Sequence, residues 1–235
     1  MAELKTEASL VERVCRLLHP ARGRKLADRE GRLPSERDLA ERLEVSRTVI
    51  REATKRLELQ GVLEVRHGSG MRFVDKAYAP LSDAVERLLP DAAARLQQLA
   101  EARLIVEPQV ARLAAERCKA EHRKALRLSQ DKLAAAIETA DAVAADLEFH
   151  RVLARAAGNR ILELLLESLG ELGRTSRQAT LASTGIARAV EHHGLILHAV
   201  EKRRGQAAFD AMQAHMLGSS RDLKKYFSAH SEPTP

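Results

Sequence analysis

A chain of 235 residues with 45% hydrophobic and 31% charged residues has the composition of a soluble globular protein, built as one large domain or two smaller ones. Aromatic residues make up 3%, tryptophan is absent, and 12 glycines and 7 prolines are too few for a loop-rich or all-β chain, whereas abundant Ala, Leu, Arg and Glu favour helix. The formal charge of +6 suits a polyanionic partner without demanding one. Cys15 and Cys118 are too few and too far apart for a disulfide framework or a thiolate zinc site. No apolar run reaches membrane-spanning length and the opening stretch lacks a signal-peptide core, so a cytoplasmic protein with no membrane partner is expected.

In chain order, residues 9–18 (SLVERVCRLL) predict a short amphipathic helix with Ser9 placed to cap it. Residues 19–32 carry Pro, two Gly and many charges and read as a loop. In LPSERDLAERLEV, Ser35 followed by Asp38 forms a capping arrangement, and Leu39, Ala40 and Leu43 face inward. After a brief turn, SRTVIREATKRLELQG predicts a second helix with Ser46 as its cap, Ile50, Ala53 and Leu57 as its buried stripe, and Gly61 at its end. VLEVRHGSGMRFV alternates weakly on both sides of a Gly-rich tip and reads as a β-hairpin, the only strand signal taken from the sequence.

Downstream, helices are expected at 81–89, 92–106, 108–117, 121–138, 141–157, 159–181, 186–203 and 205–227, with one break placed before Pro108. The expected architecture is mainly α. Residues 1–75 form a winged helix-turn-helix with a small β-hairpin, residues 76–80 a linker, and residues 81–230 an antiparallel all-α bundle.

A helix that reads DNA buries one face and offers the other to the major groove near its N-terminus. Arg47, Arg51 and Lys55 recur every four residues opposite Ile50 and Leu57, and Thr48 sits beside Arg47. Arg suits guanine O6 and N7, and Thr suits a base edge, a thymine methyl or a phosphate. Arg37 on the preceding helix is within reach of a phosphate or base, and His67 and Gly68 at the hairpin tip suit the minor groove. Taken alone, such a basic stripe is more often a solvated helix face than a DNA-reading one.

The continuous stretch LPSERDLAERLEVSRTVIREATKRLELQGVLEVRHGSGMRFV closely resembles the DNA-binding signature of GntR-type bacterial transcriptional regulators. That resemblance implies DNA contacts from Arg37, Ser46, Arg47, Thr48, Arg51, His67 and Gly68. The chain departs from the usual pattern at Val49, where Pro is common, at Thr54, where Leu is common, and in the longer, more charged loop before LPSER.

Within DLEFH, Asp146 and His150 lie four apart and share a helix face, as two ligands of one metal would. His193 and His215 sit in locally apolar patterns on later helices, and an antiparallel bundle can bring such side chains together in its core. Three imidazoles and a carboxylate suit zinc, nickel, manganese or iron, although an Asp/His pair at this spacing is more often a plain surface or hydrogen-bonded pair.

RLIVEPQVARLAAER, DLEFHRVLARAAGN and HHGLILHAV…AAFDAMQAHM resemble the FCD ligand-binding domain of the FadR subfamily. The resemblance implies that Asp146, His150, His193 and His215 hold a divalent ion, zinc in the first place, and that His192 and His198 stand outside the set. It also implies a small organic acid as effector, with Arg103 in its pocket. An i,i+4 ion pair with Glu107 is the competing role for Arg103, and Arg174 and Arg177 are weaker effector candidates.

The function expected from these features is a ligand-responsive transcriptional repressor and not an enzyme. It would be a homodimer on a double-stranded operator with inverted half-sites. Two other readings are a metal-dependent enzyme fused to a DNA-binding domain and a constitutive DNA-binding dimer without effector.

Overall fold

The structure, a computed structural model, describes residues 9–66 and 70–230. It divides into two compact units, Met1–Pro80 and Leu81–Pro235.

The first unit runs α1 (Leu10–Leu18), a short turn α2 (Pro20–Gly23), a 3-10 turn (Arg24–Leu26), β1 (Arg32–Leu33), α3 (Glu36–Leu43), α4 (Arg47–Leu59), β2 (Leu63–Arg66) and β3 (Gly70–Phe73). Each of its three longer helices starts on a serine whose hydroxyl accepts an otherwise unpaired backbone N–H. Ser9 accepts from Glu12, whose carboxylate accepts the Ser9 N–H in return, Ser35 accepts from Asp38, and Ser46 accepts from Val49. Between α3 and α4 the chain reverses at Glu44, left-handed at φ 53°, and the Val45 N–H donates to the Ala40 carbonyl at 3.1 Å.

The reversal lets Leu39 of α3 meet Ile50, Ala53 and Leu57 of α4 in one core, closed by Val14 and Leu18 of α1 and by Leu63 and Met71 of the sheet. After α4, Gly61 adopts φ +68°, and a Cβ there would lie 2.1 Å from the Lys76 carbonyl oxygen. Only glycine fits.

Residues 19–32, read from sequence as a loop, contain α2, the 3-10 turn and the start of β1. The sheet therefore has three strands in the order β1-β3-β2, all antiparallel, with Leu33 opposite Met71 and Val65 opposite Met71 on the other side. Two residues are too few to show the alternation that marks a strand.

The second unit holds most of α5 (Ala79–Leu88), then α6 (Ala92–Arg117), α7 (Ala120–Ala134), α8 (Thr139–Ala156), α9 (Arg160–Leu172), α10 (Arg174–Thr184), α11 (Ala187–Glu201) and α12 (Gly205–His230). Its main core joins Ala111, Ala114 and Ala115 of α6 to Leu126 of α7, Phe149 and Leu153 of α8, Ile196 and Val200 of α11, and Ala208 and Met212 of α12. Alanines on α6 let neighbouring helices approach closely, and the large side chains opposite fill the space; each stabilises the fold by roughly 1.5–3 kcal/mol. Ser82 of α5 is anchored to α9 through its hydroxyl, 3.0 Å from that of Ser168.

Of the helix boundaries that differ from the sequence reading, two matter for the site. The break expected before Pro108 is absent: α6 runs through it from Ala92 to Arg117. The missing N–H at Pro108 costs about 3 kcal/mol, but α6 packs on α8, α9, α11 and α12, and this burial outweighs one lost bond. Conversely, the single helix expected over 159–181 is divided at Gly173 into α9 and α10. A Cβ at Gly173 would lie 2.7 Å from Nη1 of Arg177. The corner thus makes room for a buried guanidinium.

Candidate functional site

Helix periodicity puts Asp146 and His150 on one inward face of α8; His193 reaches them from α11 and His215 from α12. One ligand atom from each of the four lies within 4.8 Å of the others, and all four side chains are buried. His193 Nε2 is 3.4 Å from Asp146 Oδ1, and His150 Nε2 is 3.9 Å from Asp146 Oδ2. Phe149 stacks on the His193 ring at 4.1 Å, nearly parallel, and so holds its plane. Of the two histidines placed outside the set, His198 is exposed and His192 is half-buried with its ring edge against His215 at 5.6 Å.

Both ring nitrogens of His150 and of His193 are buried without a hydrogen-bond partner among the described residues. A buried polar atom left unpaired costs about 1–3 kcal/mol, and one nitrogen from each of these rings, beside Asp146 and His215, fits a cation as common partner. The protonation states fit as well. Burial pushes His193 down to about 3, against the opposing pull of Asp146, and pushes His215 well below its usual value, helped by the neighbouring His193 and His150. Burial by itself would raise Asp146, but His150 and Arg177 outweigh it and hold the carboxyl below the usual carboxylate range. At neutral pH the site presents the Asp146 carboxylate and neutral rings at His193 and His215, as metal ligation requires.

These shifts have a consequence for stability. A histidine near 6.5 when unfolded and well below that when folded leaves the unfolded chain binding more protons between the two values. Stability therefore rises with pH in that window and is lost as pH falls below about 6.5. The metal-free protein should lose stability between pH 7 and pH 5, with a slope approaching about 1.4 kcal/mol per pH unit for each of the two histidines. Urea midpoints across this range measure it; a flat profile contradicts the assigned neutral state.

A second ring of charges surrounds the cluster. Arg177 Nε donates to Asp146 Oδ2 at 2.7 Å, and its Nη1 donates to the Gly170 carbonyl at 3.2 Å. Arg103 Nε donates to Glu107 Oε1 at 2.5 Å, while Glu107 Oε2 lies 2.5 Å from His150 Nδ1. Burial by itself would raise Glu107, but Arg103 and His150 outweigh it and hold the acid well below its usual range. A narrow cavity of about 40 Å³ opens beside the cluster, lined by Arg103, Asp146, Arg177, Thr180, His215 and Ser219. Arg188 and Asp222, paired with each other, line it too.

Both roles weighed for Arg103 thus coexist, since its Nε serves the ion pair and its side chain also faces the cavity. Arg177, the weaker candidate, touches Asp146 directly. The contact of Glu107 with His150 and the presence of Arg188 and Asp222 were missed, because helical spacing within one element does not reveal them.

In the first unit, Arg47, Thr48, Arg51 and Lys55 are exposed along α4. The Ser46 hydroxyl oxygen accepts the Val49 N–H as the helix cap, and its own O–H can still donate outward. Arg37 is exposed on α3 and lies 3.8 Å from Asp38 and 3.9 Å from Glu41, and Arg51 lies 3.7 Å from Glu36. At that exposure such pairs hold a side chain weakly, by about 0–1 kcal/mol. Thr54, where the resemblance has leucine, is buried, and its hydroxyl donates to the Arg51 carbonyl at 3.1 Å. His67 and Gly68 lie outside the described residues. No helix among the described residues is long and apolar enough to cross a membrane.

A family model described as bacterial regulatory proteins, gntR family, matches residues 27–73, and one described as FCD domain matches residues 98–218. The chain is 42% identical to an HTH-type transcriptional regulator of Mycobacterium tuberculosis, over 57% of this chain and 55% of that protein. It is 33% identical to the HTH-type transcriptional regulator LutR of Bacillus subtilis, over 83% of this chain and 93% of the relative. It thus spans about half the length of the first and nearly all of the second. Among solved structures, a GntR protein of Streptococcus agalactiae superposes with a TM-score of 0.69 at 29% identity, covering 90% of this chain and 98% of the other. Both relatives are named as transcriptional regulators.

Proposed function

This chain belongs to the GntR family of bacterial regulatory proteins and carries an FCD domain, and from that premise we propose that it is a ligand-responsive transcriptional repressor. It works in the cytoplasm as a homodimer on a double-stranded operator with inverted half-sites. Arg47, Thr48 and Arg51 of α4 read bases in the major groove. Arg37, Ser46, His67 and Gly68 contact the flanking DNA.

The observation that carries the effector half is the convergence of Asp146, His150, His193 and His215 beside a cavity lined by Arg103 and Arg177. Those four residues would hold a divalent ion, zinc in the first place, with nickel, manganese or iron fitting the same donors. When bound, the ion supplies positive charge and open positions for ligand oxygens. The chain's own residues do the rest. Arg103 and Arg177 present buried guanidinium groups suited to a carboxylate, and the Thr180 and Ser219 side chains on the same wall suit a hydroxyl-bearing acid. The effector is accordingly a small hydroxy acid or dicarboxylate. It moves operator affinity only by the difference in its affinity for the two arrangements of the dimer.

The experiment is a thermal-shift screen of hydroxy acids, sugar acids and dicarboxylates on zinc-loaded protein, followed by titration of a selected operator fragment. At least one acid should raise the melting temperature only when zinc is present, and the same acid should weaken operator binding by about 5- to 150-fold. If no acid shifts the melting temperature while operator binding is intact, the protein is a constitutive DNA-binding dimer. If an acid strengthens operator binding, the repressor-released-by-ligand reading fails.

A further inference from the structure

Glu107 sits on α6 one turn beyond Arg103, 3% exposed, and its two oxygens face different partners. Oε1 accepts from Arg103 Nε at 2.5 Å, and Oε2 is 2.5 Å from His150 Nδ1. The opposite ring nitrogen of His150, Nε2, faces the cluster, 3.9 Å from Asp146 Oδ2. The Nδ1–Oε2 pair is at ion-pair distance but outside the angular range of a hydrogen bond, and neither atom has another hydrogen-bond partner among the described residues.

We propose that Glu107 is a positioning residue for His150: its carboxylate accepts the Nδ1–H and thereby fixes the tautomer whose Nε2 lone pair faces Asp146, His193 and His215. A neutral imidazole carries one N–H and one lone pair, and which nitrogen holds which is set by the partner of the other. A carboxylate at Nδ1 selects the Nδ1–H form, orients the ring and makes Nε2 a better donor toward a cation.

The geometry assigns Glu107 a second task. Arg103 gives its Nε to the same carboxylate while its side chain lines the cavity. Arg103, Glu107 and His150 therefore form one continuous link from the cavity wall to the metal centre. Glu107 keeps both ends in register, because one planar carboxylate sets the position of each.

The inference rests on the metal-centre reading, and the test separates the two. The first measurement is a long-range 1H–15N NMR correlation of the imidazoles in full-length wild-type protein. Without metal, at a pH high enough to leave one proton on the ring, His150 should carry it on Nδ1 and none on Nε2, and on zinc loading only the Nε2 resonance should move strongly. The second is zinc affinity by chelator competition, in which Glu107→Gln should bind zinc about 10- to 100-fold more weakly than wild type. In the metal-free variant, the His150 proton should distribute over both nitrogens, which a role confined to packing would not produce.

A wild-type protein that takes up no zinc overturns the metal-centre reading. A wild-type protein that binds zinc but holds the His150 proton on Nε2 overturns the role of Glu107 alone, as does a folded Glu107→Gln protein with unchanged zinc affinity. If Glu107→Gln does not fold, the wild-type tautomer decides the question.

Discussion

Replacing His193 and His215 together by alanine is expected to remove metal binding altogether. Two of the four converging ligands disappear, leaving Asp146 and His150 on a single helix face, a pair that closes no cage. In wild type, a ligand present at about a thousand times its Kd stabilises the folded state by about 4 kcal/mol, so zinc should raise the melting temperature by several degrees. The double variant should show no zinc-dependent rise and no metal after desalting. Its metal-free stability also changes: His193 is fully buried against Phe149, and truncating it leaves a cavity, but it also removes ring nitrogens that lack partners. The comparison must therefore be of zinc-induced shifts, each variant against its own metal-free form. Undiminished metal content in the double variant would reject the site.

The second large effect lies in the first unit. Arg47→Ala and Arg51→Ala remove exposed side chains from the first turns of α4, so neither should disturb the core formed by Ile50, Ala53 and Leu57. If each arginine holds a guanine edge, its loss costs about 1–3 kcal/mol per half-site, and a dimer on two half-sites loses about twice that. Specific binding should fall by one to several orders of magnitude at fixed salt, with relaxed preference at the base concerned. Lys55→Ala should instead weaken all sequences alike and lower the salt slope, as a phosphate contact would. Binding assays on the operator and on scrambled DNA separate these outcomes. Wild-type affinity and preference in either arginine variant would sink the assignment of α4 as the reading helix.

The features legible in the sequence are those whose physics is local. The serine caps at Ser9, Ser35 and Ser46, the stripe of α4, the turn at Gly61 and the shared face of Asp146 and His150 all depend on residues within a few positions of one another. Where the outcome depends on distant packing, local rules mislead. Proline is a helix breaker by its own chemistry, yet Pro108 lies within α6 because four other helices bury that segment. The reverse holds at Gly173, where an apolar periodic stretch is bent because the Arg177 side chain occupies the space inside the corner. Along an uninterrupted helix nothing marks Arg177 as facing Asp146, and the corner at Gly173 is what brings the two together. Glu107 escaped notice as a partner of His150 because the Arg103 spacing offered a sufficient local explanation for its charge. That explanation accounts for one of its oxygens and leaves the other to His150.

The side chains around the cluster carry charges that cancel. Glu107 and Asp146 contribute two negative charges, Arg103 and Arg177 two positive ones, and Arg188 with Asp222 cancel each other. His193 and His215 are neutral, and His150 is neutral whenever it serves as a ligand. With His150 serving as a ligand, the protein's own groups therefore balance to zero in this part of its interior. A divalent cation upsets that balance by two units in a place shielded from water, where uncompensated charge is costly. A monoanion restores half of it; a dicarboxylate, or a hydroxy acid that gives up its hydroxyl proton, restores all of it. If the four ligands hold a divalent ion, the pairing of two arginines with two acids would favour a doubly charged acid over a singly charged one, whatever the detail of shape.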